Sequence, residues 1–145
     1  MLGRKDCTRD ELDHGRSAVE TQLAVYRKLV SAMAGDATDH KVQSALAEFE
    51  PQFFNNMTLA LDRYFVHRLR MATGKDSNPL NEVEMISDSL MNNHGVLRGN
   101  NVIKYVPGQS VVKLKVGDPI RLTADQFERL SAAFLDELER KVVQS

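Results

Sequence analysis

Arg63, His67 and Arg70 follow one another at intervals of four and three residues, Arg68 lies among them, and Lys75 comes five positions later. On a helix turning by about 100° per residue the first three share a flank. Cations gathered in this way can hold an anion such as a phosphate, a nucleotide or a carboxylate. A helix beginning at Asn78-Pro79 would complete the pocket, because free backbone N–H groups at a helix start favour negative charge. Arg98-Gly99-Asn100-Asn101 could add further donors. The plainer reading of these residues is a solvated basic face, its carbon stems resting on the core and its charges paired with neighbouring glutamates.

Arg68 is the anomaly of the group. The same helical wheel sets it within an apolar sector formed by Phe53, Phe54, Met57, Ala60, Leu61, Tyr64, Phe65, Met71 and Ala72. A guanidinium there needs a partner or must reach out to water along its stem. Glu82 or Glu84 would make it structural; an anion held jointly with His67 would make it functional.

Other chemistry is poorly supported. His14, His40, His67 and His94 fall on different expected elements or their ends, and the Glu-x-x-His pairs of bundle metal centres are missing. No metal is expected. The chain has no nucleophile elbow, no phosphate loop of the Walker kind and no dinucleotide fingerprint. Cys7 is the single cysteine, so no internal disulfide or cysteine cluster can form, and a lone thiol in a polar leader is expected to be inert. No catalytic residue and no cofactor is implied.

The charged residues nearly balance, 19 basic against 20 acidic, for a net charge of −1. That gives no general attraction to nucleic acid or to an anionic membrane, and nucleic-acid binding would need a local patch. The first residues, MLGRKDCTRDELD, are polar where a secretory signal is apolar. No run approaches the roughly 20 apolar residues that span a bilayer. A reducing cytoplasm fits this pattern, and 145 residues suit one domain with its own core.

Several elements must position these side chains. Thr8-Arg9-Asp10-Glu11 has capping-box spacing, so a first helix should begin at Arg9 and stop near Gly35. Leu12, Val19, Tyr26 and Met33 recur every seven residues, with Leu23 and Val30 between them, as a seam made to pack along another helix. Gly15 weakens the first turns. Asp36 or Thr38 can cap a second helix, with Pro51 expected to kink it or to start it afresh. The central helix then carries the wide apolar sector and a thinner stripe of Leu59, Val66 and Leu69.

A third helix should open at Asn78-Pro79 and close at Asn92-Asn93-His94-Gly95. From Gly95 to Thr123, glycine and proline punctuate two β-branched runs, Val102–Val106 and Val111–Val116, joined by Pro107-Gly108-Gln109-Ser110. These predict a small β-hairpin within an insertion over about 96–122. Thr123-Ala124-Asp125-Gln126 repeats the capping-box spacing before a last amphipathic helix of Phe127, Leu130, Phe134 and Leu138.

The stretches LDRYFVHRLRMATGKDSNPLNEVE and GDPIRLTADQFERL resemble a family of small uncharacterised bacterial proteins, over most of Glu48 to Glu139. The resemblance implies a self-contained bacterial domain and transfers no functional residue.

The expected architecture is therefore mainly α: an antiparallel bundle of four to five helices around the central one, with a small β-hairpin before the last. The leading functional expectation is a non-catalytic cytoplasmic interaction or assembly protein. It would self-associate as a homodimer through the seam of the first helix or the second stripe of the central one. The alternative, from a different class, is a binding protein or enzyme for an anionic small molecule, using Arg63, His67, Arg68, Arg70 and Lys75.

Overall fold

The computed structural model describes residues 7–33, 39–69 and 74–144, with side chains described for 8–33, 39–65 and 74–141. Four helices form its body: α1 (Arg9–Met33), α2 (His40–Leu69), α3 (Pro79–Asn92) and α4 (Ala124–Val142). Among the described residues the strand pairs are a two-residue parallel contact between β1 (Cys7–Thr8) and β2 (Val143–Gln144) and an isolated bridge between Val96 and Pro119.

The helix starts follow local chemistry. Thr8 Oγ1 accepts from the Glu11 N–H at 3.1 Å and donates to the Glu11 carboxylate at 3.2 Å, so α1 begins at Arg9. At α4 the box is reciprocal: the Gln126 N–H donates to Thr123 Oγ1 at 3.1 Å, and the Thr123 N–H to Gln126 Oε1 at 3.0 Å. Asn78 caps α3 by accepting from the Asn81 N–H, and Pro79 occupies the first turn, where its missing N–H costs nothing. The far end of α3 turns through His94 and Gly95, both left-handed, with φ of 56° and 76°.

Two expectations about α2 need correction. Asp39 supplies a cap, accepting from the N–H groups of Lys41 and Val42; the expected caps Asp36 and Thr38 lie outside the described residues. Of the two outcomes expected at Pro51, a kink or a fresh start, the fresh start does not occur: the helix runs as a single element through it. The lost backbone bond is offset by anchoring on both sides. Phe49 and Phe53 stack on each other at 5.3 Å and on Tyr26 of α1, and Glu50 bonds to both α1 and α4.

α2 and α4 each touch all three other helices, so the centre of the bundle is shared between them. Phe54 meets Phe127 at 5.5 Å and Phe65 meets Phe134 at 5.8 Å, pairs that climb both helices together. α2 and α4 therefore run in the same sense, and the expected antiparallel alternation holds for α1 against each of them. Tyr26 lies by Phe54 and Gly15 by Phe65, while Arg9 reaches Glu139 and Arg27 reaches Asp125. Gly15 has a specific packing reason: a Cβ there would sit 2.6 Å from the Phe65 ring. The glycine is what lets α1 and α2 approach so closely.

The expected β-hairpin does not form. Val102–Val106 and Val111–Val116 are irregular, with a 3-10 turn at Pro107–Gln109 and Lys113 left-handed at φ 56°. Several of their backbone donors are answered by side chains, and the Lys104 N–H by the Lys75 carbonyl, instead of by each other. Asn100 Oδ1 accepts from the Val102 and Ile103 N–H groups, Ser77 Oγ from Val106, and the buried Glu82 carboxylate from Val111 at 2.7 Å and Val112 at 3.0 Å. Pairing occurs only at the neck of the segment, where Val96 bridges Pro119 and Leu97 exchanges bonds with Asp118 and Gly117.

Candidate functional site

Of the expected anion cluster, the described side chains are those of Arg63 and Lys75. Arg63 is exposed on α2, and Lys75 is exposed in the following loop, its carbonyl accepting from the Lys104 N–H. The side chains of His67 and Arg68, and all of Arg70, lie outside the described residues, as does any Arg68 pairing with Glu82 or Glu84. The parts meant to complete the pocket have other partners. The start of α3 is capped by Asn78, whose side-chain amide in turn donates to the Asp76 carboxylate at 2.6 Å. Arg98 pairs with Asp88 at 3.0 Å and, together with Asn92, holds that carboxyl below its usual range. Asn100 is used by its own loop.

Buried polar chemistry in the bundle is structural in kind. Glu50, on α2, accepts from the Tyr26 hydroxyl at 2.7 Å and from the Ala124 N–H at 3.0 Å, joining α1, α2 and the start of α4. Burial, reinforced by that hydrogen bond, raises the Tyr26 pKa well above its ordinary value, so the phenol stays a donor. Glu82 is 1 % exposed, and burial raises its pKa despite the two N–H bonds that favour the carboxylate. Asp62 on α2 is pushed up to about 6, mainly by burial and secondarily by Glu84 across on α3. Among the described residues no three His, Cys, Asp or Glu side chains group so as to hold a metal ion.

Among the described residues, grooves lie along α1 in three places. One, of about 410 Å³, is lined by Tyr26, Arg27, Val30, Glu50 and Asp125. Of the other two, the one shared with α4 is floored by Val19, Leu23 and Leu135 and closed by ion pairs: Arg16 with Asp136 and Glu139, and Arg27 with Asp125 and Glu128. Its arginines already have carboxylate partners. The other, of about 310 Å³, lies between α1 and α2 and is lined by Thr21, Gln22, Val25, Leu29, Phe49 and Phe53 beside the Tyr26 ring. None of these is charged. Val25 is 62 %, Leu29 49 % and Phe49 46 % exposed, three of the seven large exposed hydrophobic side chains among the described residues, gathered in one place.

The α1 seam expected at an interface is internal, and of the alternative stripe on α2 the side chains of Val66 and Leu69 lie outside the described residues. Leu12, Val19, Leu23 and Tyr26 of the heptad seam are buried within the chain, against its own α2 and α4. The exposed strip is the neighbouring one, Val25 and Leu29 with Thr21 and Gln22. Its signal was the lack of any charge on a face that should have been solvated.

No family model matches this chain, and no curated protein or solved structure matches it either.

Proposed function

We propose that this chain is a non-catalytic assembly protein that works by associating with itself. The observation that supports the reading is the uncharged, aromatic-lined edge of α1 and α2. In a chain whose residues are 27 % charged, an exposed strip of Val25, Leu29 and Phe49, backed by the half-buried Phe53 and with no charge among them, is costly in water. Interface cores have this composition, enriched in aromatic side chains and depleted of charge. The described polar clusters favour a structural over a catalytic reading, because Glu50, Glu82, Arg16, Arg27 and Arg98 each bond to neighbours in the fold.

The test is solution mass as a function of concentration by light scattering. The reading expects twice the chain mass of 16.3 kDa at micromolar concentration, falling on dilution. A mass of 16.3 kDa that holds up to high micromolar concentration would remove it.

A further inference from the structure

We infer that the uncharged α1/α2 edge is a two-fold interface with a second copy of this chain, the two edges lying face to face. The inference rests on the self-association proposed above and adds the surface that carries it.

The first argument concerns what the edge can face. Its exposed centre, Val25, Leu29 and Phe49, offers neither charge nor strong hydrogen-bonding groups, so a partner must present an apolar surface of the same kind. A two-fold axis pairs a patch with itself, which meets that condition without any second protein. The other exposed hydrophobic side chains, Met91, Val102, Val106 and Val116, belong to α3 and the irregular segment after it. None of them lines this groove.

The second argument is the charge on the rim. At about 100° per residue, Lys28 flanks the strip on the side of α1 away from α2. Glu48 flanks Phe49 on the outer side of α2, and both side chains are exposed. Laying α1 on α2 of the copy brings Lys28 beside Glu48 of the partner subunit. Such a pair joins a cation to an anion at the rim, where it sets orientation and excludes wrong partners.

The third argument is shape. α1 and α2 run antiparallel, with the Tyr26, Phe49 and Phe53 rings stacked within 15–18° of parallel between them. Two such helix pairs laid edge to edge make a four-helix layer of the usual bundle kind.

Trapping by disulfide tests the interface apart from the assembly itself. In a Cys7→Ser background, Val25→Cys, Phe49→Cys and a control Met91→Cys on α3 are each oxidised mildly, alone and in mixtures. Helix pairs in contact bring facing residues within disulfide reach. A covalent dimer is expected from Val25→Cys alone, from Phe49→Cys alone, or from the mixture of the two, and none from Met91→Cys. If light scattering gives a dimer but no combination on the edge is trapped, the edge is not the interface, although self-association stands. A monomer with no trapping overturns both. The same holds if the edge is occupied by an unrelated protein while the chain alone remains monomeric.

Discussion

Asp62 is the residue whose chemistry is least at ease in this fold. Its carboxyl, drawn mostly out of water on α2 and facing the Glu84 charge, has a pKa pushed up to about 6 from 3.8. A folded-state pKa above the unfolded one means the native state favours the protonated form. The stability this contributes is complete below about pH 4 and is lost as pH rises through about 6. At neutral pH the charged form therefore costs up to about 3 kcal/mol, from roughly two units at about 1.4 kcal/mol each. Asp62→Asn removes that charge. It is expected to stabilise the protein at pH 7 by as much as about 3 kcal/mol, with the gain vanishing at pH 4, as read by urea denaturation at the two pH values. Equal effects at both would mean that the carboxyl is not desolvated.

This residue-scale chemistry was only partly legible in the sequence. Arg63, His67, Arg68, Arg70 and Lys75 looked like an anion site because they are close along the chain. The described members, Arg63 and Lys75, are both exposed, and the side chains of His67, Arg68 and Arg70 lie outside the described residues. Glu82 was weighed as a partner for Arg68, whereas its two oxygens hold the backbone of Val111 and Val112, 29 and 30 positions further on. Nothing in local spacing announces a bond of that range.

At the scale of the elements, the starts of α1, α3 and α4 were readable because they are set by neighbours three or four residues apart, while the Asp39 cap of α2 was missed. Thr8 with Glu11, Asn78 with Pro79, and Thr123 with Gln126 all mark helix starts found in the structure. The hairpin failed because its turn residues and β-branched runs describe only local preference. Glu82, Ser77 and Asn100 offered the same N–H groups better acceptors from outside the runs. Gly15 looked like a weakness in α1 and is instead a fitted contact. Alanine at position 15 would gain up to about 1 kcal/mol of helix propensity. It would also drive a methyl into the ring of the buried Phe65, and overpacking of this kind costs typically about 1–3 kcal/mol. Gly15→Ala is expected to lower stability by about 1 kcal/mol net, measured by chemical denaturation. A more stable variant would mean that the α1–α2 contact is looser than the 2.6 Å approach implies.

For the whole molecule, the sequence conveyed a helical bundle but not which of its apolar stripes would be left outside. The heptad seam of α1 could equally have faced a second chain; α2 and α4 of the same chain cover Leu12, Val19, Leu23 and Tyr26. What remains exposed is the Val25, Leu29 and Phe49 edge, and the central claim is that a second copy covers it. Among the described residues no helix is long and apolar enough to cross a membrane, so that edge does not belong to a spanning segment.

The most direct measurement is sedimentation equilibrium of the wild type beside Val25→Glu, with Met91→Glu as control and circular dichroism on all three. Val25 and Met91 are both well exposed, at 62 % and 69 %, so neither change should disturb the fold of one chain. Near a two-fold axis each added carboxylate faces its own copy or an apolar surface, and like-charge juxtaposition costs several kcal/mol. The account predicts that Val25→Glu weakens self-association by at least about 100-fold with helix content unchanged, while Met91→Glu sediments like the wild type. Identical association of Val25→Glu and wild type would contradict it.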